Sequence, residues 1–275
     1  MIFVAELSIN HLGMINIAKA MIIAAKNSGA NFIKIKIKNV NKYYKKKPSK
    51  WRGYDFLNYR ESLELSVENI KEIIIFCKKI GIGWFSTVHD EESLNFIKQF
   101  KPSFIKIASM DNKNTNLIKK VISTCKKNKV PLIVSIGGQN ETETANTVQV
   151  IKKANIKCFI LHTVSIYPVP VGNSNIGYID YLINKYQSNN IKIGYSGHEE
   201  GFGASIVAGL KKIHMIERHF TLDRNLKIHH IRSALLPYEF AEMIKLIKTT
   251  NLENKNQKIS RSINENIFLK NRIYK

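Results

Sequence analysis

The chain has 275 residues, of which 44% are hydrophobic and 23% charged, a composition typical of a globular protein that buries a large core. No apolar run approaches the roughly 18–20 residues of a membrane-spanning helix, and the N-terminus lacks the basic start of a secretion signal. The cysteines Cys77, Cys125 and Cys158 lie far apart without metal-ligand spacing, which favours reduced thiols in a cytoplasmic protein.

The formal net charge of +22 raises the question of nucleic-acid binding. The lysines are spread along the whole chain, many of them on predicted helix faces, and aromatic residues do not alternate with them as a base-stacking surface requires. We therefore interpret the charge mainly as the solvated surface of a lysine-rich protein and expect no nucleic-acid partner. A basic surface would also concentrate an anionic substrate.

Short apolar runs of β type alternate with helical patterns eight times along the chain. The predicted strands are 2–7, 32–37, 83–88, 104–109, 131–136, 157–163, 192–196 and 214–220. The segments between them, such as 66–80 before Gly81, show the i, i+3, i+4 spacing of amphipathic helices, and Pro237 opens the last one. Eight such units predict an α/β fold, a single-domain (β/α)8 TIM barrel over residues 1–250, with a C-terminal tail over 251–275.

Polar side chains are dense at the C-terminal ends of the predicted strands, where TIM barrels carry their active sites. Lys34 and Lys106 interrupt the apolar strands FIKIKI and FIKIAS, and two ammonium groups inside a barrel are costly unless an anion meets them. Hydroxyl groups stand at other strand ends, at Thr87, Ser109, Ser135 and Ser196. Together these groups predict a phosphate site, although the sequence has no glycine-rich phosphate loop. For Lys36 we expect a side chain that leaves the barrel and reaches solvent.

Two histidines follow the ends of the last two predicted strands, His198 in GYSGHEEG and His219 in IERHFTLDR. An isolated histidine is more often a satisfied core or surface group than a metal ligand. Two histidines on neighbouring strands, with Glu217 near in sequence, fit a divalent metal site as well as they fit a structural role. In such a site water and a substrate oxygen would complete the coordination of the metal, which acts as a Lewis acid. The residues alone leave both interpretations open.

Eight segments resemble the sialic acid synthase family in order and spacing: AELSINHLG, FIKIK, FSTVHDEESLNFI, FIKIASMD, PLIVSIGG, LHTVSIYPVP, IGYSGHEEG and IERHFTLDR. The resemblance covers about residues 2–250. It implies a TIM barrel that condenses phosphoenolpyruvate with the aldehyde of N-acetylmannosamine or a related N-acetylated hexosamine, forming a sialic or other nonulosonic acid and phosphate. It also implies a divalent metal cofactor, Mn²⁺ or Mg²⁺.

The resemblance also implies a role for each matching residue. The metal ligands would be His198 and His219. Phosphoenolpyruvate would be held by Lys34, Thr87, Lys106, Ser109, Ser135, Ser165 and Ser196. The catalytic set would be Glu6 near the reacting carbons, Glu217 before the second metal ligand, and Tyr167 and Asp111 beside the sugar. His230 would bind the sugar, at a position where the family has an aspartate that handles a sugar hydroxyl.

The departures from the family pattern fall on the sugar side of the site. Lysine replaces glutamine at Lys36, aspartate replaces glutamate at Asp111, glycine replaces aspartate at Gly197, and histidine replaces aspartate at His230. The chain resembles a shorter branch of the family without a C-terminal antifreeze-like domain over the active site. The insertion 39–66, with Trp51, Arg52 and Tyr54, is the expected substitute cover. The donor is therefore better supported than the acceptor.

One function is favoured and others stay open. We expect metal-dependent condensation of phosphoenolpyruvate with an amino-sugar aldehyde, these two small molecules as partners, and a homodimer as the assembly to consider. The alternatives are a synthase for a different aldose, a non-catalytic barrel that has lost the sugar half of its site, and a basic nucleic-acid-binding protein.

Overall fold

Eight parallel strands pair in chain order and close into a barrel, the last of them pairing with the first. They are β1 (Ile2–Glu6), β2 (Phe32–Ile37), β3 (Gly83–Val88), β4 (Ile105–Ile107), β5 (Leu132–Ser135), β6 (Cys158–His162), β7 (Ile191–Gly197) and β8 (Met215–His219). The structure, a computed structural model, describes residues 1–44, 50–51, 54–253 and 267. The predicted TIM barrel is confirmed, strand by strand.

Helices surround the barrel. Over the described ranges they are α1 (Ile15–Asn27), α2 (Val40–Tyr43), α3 (Phe56–Ser62), α4 (Val67–Ile80), α5 (Glu91–Ile97), α6 (Thr115–Asn128), α7 (Glu141–Ala154), α8 (Tyr178–Tyr186), α9 (Gly203–Gly209) and α10 (Pro237–Glu253). Ser66 caps α4 by accepting the N–H of Asn69, and Gly81 ends it at φ 70°, which a residue without Cβ adopts freely. None of the helices described is both long and apolar enough to cross a membrane. The predicted tail, 251–275, falls mostly outside the described residues.

The insertion after β2 folds into α2, a two-stranded hairpin (Lys50–Trp51 and Tyr54–Asp55) and α3. Tyr59 Oη donates to the carbonyl of Lys227, 2.9 Å away in the loop after β8, which ties the insertion to the mouth of the barrel. Of the residues named for the substitute cover, Arg52 lies outside the described part of the chain, and only the backbone of Trp51 and Tyr54 is described.

The barrel interior changes from apolar to polar along the strand direction. The lower inward-facing side chains form an apolar cluster of Val4, Phe85, Phe104, Ile133, Leu161 and Met215. Residues two apart on a strand share a face. Two positions after these six, in the same order, stand Glu6, Thr87, Lys106, Ser135, Thr163 and Glu217. The polar layer therefore rests on an apolar floor that keeps water from it on one side.

Candidate active site

A cavity of about 530 Å³ opens at the C-terminal ends of the strands. Its wall includes most of the predicted site residues: Lys34, Lys106, Ser109, Ser135, Ser165, Tyr167, Ser196, His198, Glu217 and His230. The other four, Glu6, Thr87, Asp111 and His219, are buried, and three of them contact lining residues: Glu6 pairs with Lys34, Asp111 with His89, and the His219 ring packs against Tyr167. The residues assigned to one site from separate motifs are thus brought together.

Glu217 is the centre of a buried ion network. Its Oε1 accepts hydrogen bonds from Lys106 Nζ (2.6 Å), Lys34 Nζ (2.7 Å) and Ser196 Oγ (3.1 Å). Burial alone would raise the pKa of Glu217, but the ammonium groups of Lys106 and Lys34 outweigh it and hold the pKa below its usual range. Glu217 is therefore ionised at neutral pH.

Glu6 adds a second carboxylate to this layer. One of its oxygens pairs with Lys34 Nζ, and the other accepts the backbone N–H of Ser8 at 2.6 Å. Two carboxylates thus stand against two ammonium groups, those of Lys34 and Lys106, in a site where an unpaired charge would be expensive. The layer is balanced in the protein alone.

Several buried polar atoms around this layer have no hydrogen-bond partner in the described part of the chain: Thr87 Oγ1, Ser135 Oγ, Glu217 Oε2 and His219 Nδ1. An unsatisfied buried group costs about 1–3 kcal/mol, and such groups are rare in native proteins. All four stand toward the C-terminal ends of barrel strands, which indicates a polar ligand that satisfies them.

Gly137 marks the place where hydroxyl groups from two strand ends come together. A β-carbon at this position would collide with Ser165 Oγ and would lie 2.7 Å from Ser109 Oγ. The missing side chain lets both hydroxyls converge beside the backbone after β5, where Asn112 Nδ2 also donates to the Gly137 carbonyl at 3.0 Å. The arrangement is a cradle for an oxygen-rich group.

His198 and His219 lie side by side after β7 and at the end of β8, with ring centres 5.6 Å apart. Nδ1 of His198 donates to the carbonyl of Val164 at 2.8 Å, which leaves Nε2 with its lone pair. Burial lowers the pKa of His198 to about 3 and also lowers the pKa of His219, so both imidazoles are neutral, the form that binds metal. No group of three or more His, Cys, Asp or Glu side chains within the described ranges has a metal-binding arrangement. Two imidazoles would therefore need oxygen ligands from elsewhere.

A buried ion pair outside the barrel fixes the backbone that carries His198. Arg218 Nη1 donates to Glu199 Oε1 and Nη2 to the Glu199 carbonyl, both at 2.8 Å, while Ser233 Oγ donates to the His198 carbonyl at 2.7 Å. A β-carbon on Gly197 would lie 2.5 Å from Glu199 Oε2 and 2.8 Å from Arg218 Cδ. The carboxylate of Glu199 therefore fills the space that an aspartate at position 197 would need.

Tyr167 packs between two imidazoles, with ring centres 4.0 Å from His198 and 3.8 Å from His230. Burial lowers the pKa of His230 and raises that of Tyr167, so one is a neutral imidazole and the other an un-ionised phenol. Asp111 does not line the cavity. Its Oδ2 accepts a hydrogen bond from His89 Nδ1 at 2.7 Å, and His89 lines the cavity. Direct contact of Asp111 with a sugar stays a prediction.

The expectation that Lys36 reaches solvent outside the barrel is wrong. Lys36 lines the cavity, and its Nζ donates to Ser8 Oγ at 3.2 Å. The reason is strand geometry, because Lys34 and Lys36 are two residues apart and share the inward face of β2. That alternation is visible in FIKIKI and could have identified Lys36.

The insertion supplies cavity-wall residues that motif comparison missed: Tyr43, Tyr44, Phe56, Tyr59 and Arg60. The Tyr43 ring contacts His89 with ring centres 4.8 Å apart, which joins this wall to the loop after β3. Their sequence carries no regular periodicity, so no signal beyond the abundance of aromatics could have placed them.

A parallel barrel with ionised and hydroxyl side chains at its C-terminal strand ends is the architecture of a TIM-barrel enzyme. A model of the NeuB family matches residues 21–258. The chain belongs to this family, which confirms the resemblance found in its motifs.

Named relatives extend over most of the chain. N-acetylneuraminate-9-phosphate synthase of Mus musculus is 31% identical over 256 residues, which cover 89% of this chain and 68% of that protein. N,N'-diacetyllegionaminic acid synthase of Campylobacter jejuni is 31% identical, covering 86% and 72%. The solved structure of N-acetylneuraminic acid synthetase from Leptospira borgpetersenii superposes with a TM-score of 0.83 at 26% identity, covering 98% of this chain and 90% of that one.

Proposed function

We propose that this protein condenses phosphoenolpyruvate with the aldehyde of an N-acetylated hexosamine, N-acetylmannosamine or a related sugar, to form a nonulosonic acid and inorganic phosphate. The observation that carries the proposal is the layer of Lys34 and Lys106 beside the unpaired hydroxyls of Thr87 and Ser135. The relatives that share the barrel are named as synthases of sialic and legionaminic acids, which supports the same reaction class.

The donor would lie on the polar layer. Its phosphate carries up to two negative charges and would draw Lys34 and Lys106 from Glu217, while the hydroxyls of Ser109 and Ser165 around Gly137 would donate to its oxygens. Because the floor beneath is apolar, these contacts act in a poorly hydrated site and are stronger than they would be in water.

Carbon–carbon bond formation joins C3 of the enolpyruvate to the aldehyde carbon, breaks the C=O π bond so that the aldehyde oxygen takes up a proton and becomes a hydroxyl, and leaves positive charge at C2. The ionised carboxylates of Glu6 and Glu217 would stabilise that charge, and one of them would take the proton of the water that adds at C2. Phosphate then leaves with cleavage of its C–O bond. Tyr167, un-ionised because burial raises its pKa, would donate a hydrogen bond to the acceptor.

The proposal includes a divalent metal, Mn²⁺ or Mg²⁺, at His198 and His219. The donor set fits, because both imidazoles are neutral, Nε2 of His198 carries a lone pair, and His219 Nδ1 lacks a partner among the residues described. A bound ion of this kind supplies Lewis-acid polarisation of the acceptor's aldehyde oxygen. Holding the two rings beside Tyr167 is the contribution of the chain itself.

The test is metal-dependent product formation. Purified protein, freed of metal by a chelator, is supplied with phosphoenolpyruvate and a panel of aldoses, with and without Mn²⁺ or Mg²⁺. Phosphate release and a product mass equal to sugar plus phosphoenolpyruvate plus water minus phosphoric acid are expected only with metal and an N-acetylated hexosamine. Turnover that persists after chelation would exclude the metal. No product with any aldose, although phosphoenolpyruvate still binds, would favour the non-catalytic barrel.

A further inference from the structure

Three lysines stand at alternate positions of one chain segment, Lys34 and Lys36 on β2 and Lys38 just after it, and all three line the cavity. Residues two apart on a strand share a face and are separated by about 6.6 Å along it. From Lys34 to Lys38 the backbone therefore advances by about 13 Å, from the polar layer toward the mouth of the cavity.

Lys34, the lowest of these lysines, has more carboxylate partners than Lys36 and Lys38, the upper two. Lys34 pairs with Glu6 and Glu217 in the polar layer. Lys36 donates to a hydroxyl, that of Ser8, and within the described ranges forms no ion pair. Burial, strengthened by the neighbouring Lys38, lowers the pKa of Lys36 to about 7, so an arriving anion would also secure its proton.

Arg60 joins the upper lysines and shares the ion-pair partner of Lys38, the carboxylate of Glu64. Lys38 Nζ and Arg60 Nη2 both lie 3.4 Å from Glu64 Oε1, and their side chains are 5% and 11% exposed. Lys38 and Arg60 thus share one carboxylate, and Lys36 beside them has no ion-pair partner in the described wall, so the basic groups outnumber the carboxylates that pair with them. Such an excess is unfavourable unless a ligand balances it.

The cations are held in place by aromatic rings. The Tyr44 ring lies 5.4 Å from Lys38 Nζ and 5.7 Å from the Arg60 guanidinium carbon. Arg60 Nε is buried without a hydrogen-bond partner among the residues described, so at least one N–H donor of its planar guanidinium group is free to bind a ligand. A guanidinium and ammonium groups arranged in this way suit a phosphate or carboxylate.

We propose that Lys36, Lys38 and Arg60 form an anion subsite at the mouth of the cavity, and that it binds a negatively charged group at the end of the acceptor sugar remote from the aldehyde. This inference rests on the proposed function, because a donor phosphate held at Lys34 and Lys106 leaves the mouth to the acceptor. The acceptor is then an anionic amino sugar, a phosphate ester or a uronic acid, rather than the neutral hexosamine.

The experiment compares three acceptors at saturating phosphoenolpyruvate: N-acetylmannosamine, its 6-phosphate and its 6-carboxylate. We expect kcat/KM to be at least about tenfold higher for one of the two charged acceptors than for N-acetylmannosamine. The acceptor that is preferred identifies the anionic group as a phosphate or a carboxylate. In Lys38→Met and Arg60→Met the ratio of charged to neutral kcat/KM should fall about tenfold or more, the usual effect of one charge-assisted hydrogen bond. Lys19→Met, which alters a helix-surface lysine paired with Glu72, is the control and should leave the ratio unchanged.

Two outcomes would overturn the subsite. If the variants raise KM for phosphoenolpyruvate and leave the acceptor ratio unchanged, the cations serve the donor's carboxylate, and the condensing function stands without the anionic acceptor. If no acceptor is turned over, calorimetric binding of N-acetylmannosamine 6-phosphate and of the 6-carboxylate decides instead. A roughly tenfold weaker affinity of Lys38→Met than of wild type supports the subsite, whereas equal affinities or no binding refute it, whatever becomes of the reaction.

Discussion

Replacing Lys36 with glutamine should stabilise the ligand-free protein at neutral pH, although the residue lies in the candidate active site. Its half-buried ammonium group donates to Ser8 Oγ at 3.2 Å and has Lys38 as a neighbouring cation. Burial first, and Lys38 second, lower the pKa of Lys36 from 10.5 to about 7. Glutamine is uncharged and can still donate a hydrogen bond to Ser8.

The sign and size of the effect follow from the proton that folding displaces. Between pH 7 and 10.5 the unfolded chain holds the proton on Lys36 and the folded chain releases it, so stability rises with pH across this window. The opposition to folding is greatest at pH 7 and below. At about 1.4 kcal/mol per pH unit, the whole window corresponds to at most about 5 kcal/mol, and water in the cavity reduces it. We expect Lys36→Gln to gain about 2 kcal/mol or more at pH 7 and little at pH 10.

Urea unfolding followed by circular dichroism at about pH 7 and pH 9.5 measures this difference. Lys19→Gln serves as the control, because Lys19 pairs with Glu72 on the surface and such pairs contribute about 0–1 kcal/mol. Equal or lower stability of Lys36→Gln at pH 7, or a gain that does not shrink as the pH rises, would refute the argument that Lys36 sits in an unfavourable cationic field.

Three further predictions test other parts of the site. Lys106→Met should raise KM for phosphoenolpyruvate about tenfold or more, since a charge-assisted hydrogen bond contributes about 1.5–3 kcal/mol, with the acceptor KM little changed; unaltered donor kinetics would assign Lys106 a structural role. His198→Ala and His219→Ala should each abolish Mn²⁺ binding measured by electron paramagnetic resonance while circular dichroism stays as in wild type, and retained binding would contradict the metal site. Gly197→Ala should lower stability by roughly 1–3 kcal/mol, because its β-carbon would lie 2.5 Å from Glu199 Oε2; a thermal midpoint equal to that of wild type would contradict the close packing.

The barrel could be predicted because its parallel strands are covered on both faces and stand out as apolar runs between helices. Even β4, three residues long, was recognisable in FIKIAS. The insertion could not be predicted in the same way. Its elements are a helix of four residues, one of seven and two-residue strands, all too short to show a period. They depend on contacts with distant loops, such as the bond from Tyr59 to the Lys227 carbonyl.

The polar layer of the site could be predicted, whereas the part of the cavity wall that the insertion supplies could not. Lys34 and Lys106 are polar interruptions in otherwise apolar strands, and the fold has only one place for such groups. The alternation of FIKIKI gives Lys36 the same face as Lys34, although a lone lysine in an apolar strand is compatible with an outward side chain. The pairing of Asp111 with His89 joins residues 22 positions apart on different loops, and no local pattern announces it.

The two levels of the site differ in a way that bears on how acceptor preference can change. In the polar layer, Glu6 and Glu217 balance Lys34 and Lys106, so removing one member leaves a buried charge uncompensated and destabilises the fold. At the mouth, Lys36 and its neighbours exceed their counter-charge, so a neutral replacement relieves repulsion in the ligand-free protein. Substitutions at the mouth should change the acceptor preference with little or no loss of stability, whereas substitutions in the polar layer should destabilise the fold. A lysine at position 36, where the family resemblance implies a glutamine, above a polar layer that keeps its ion pairs, is the kind of change that this asymmetry permits.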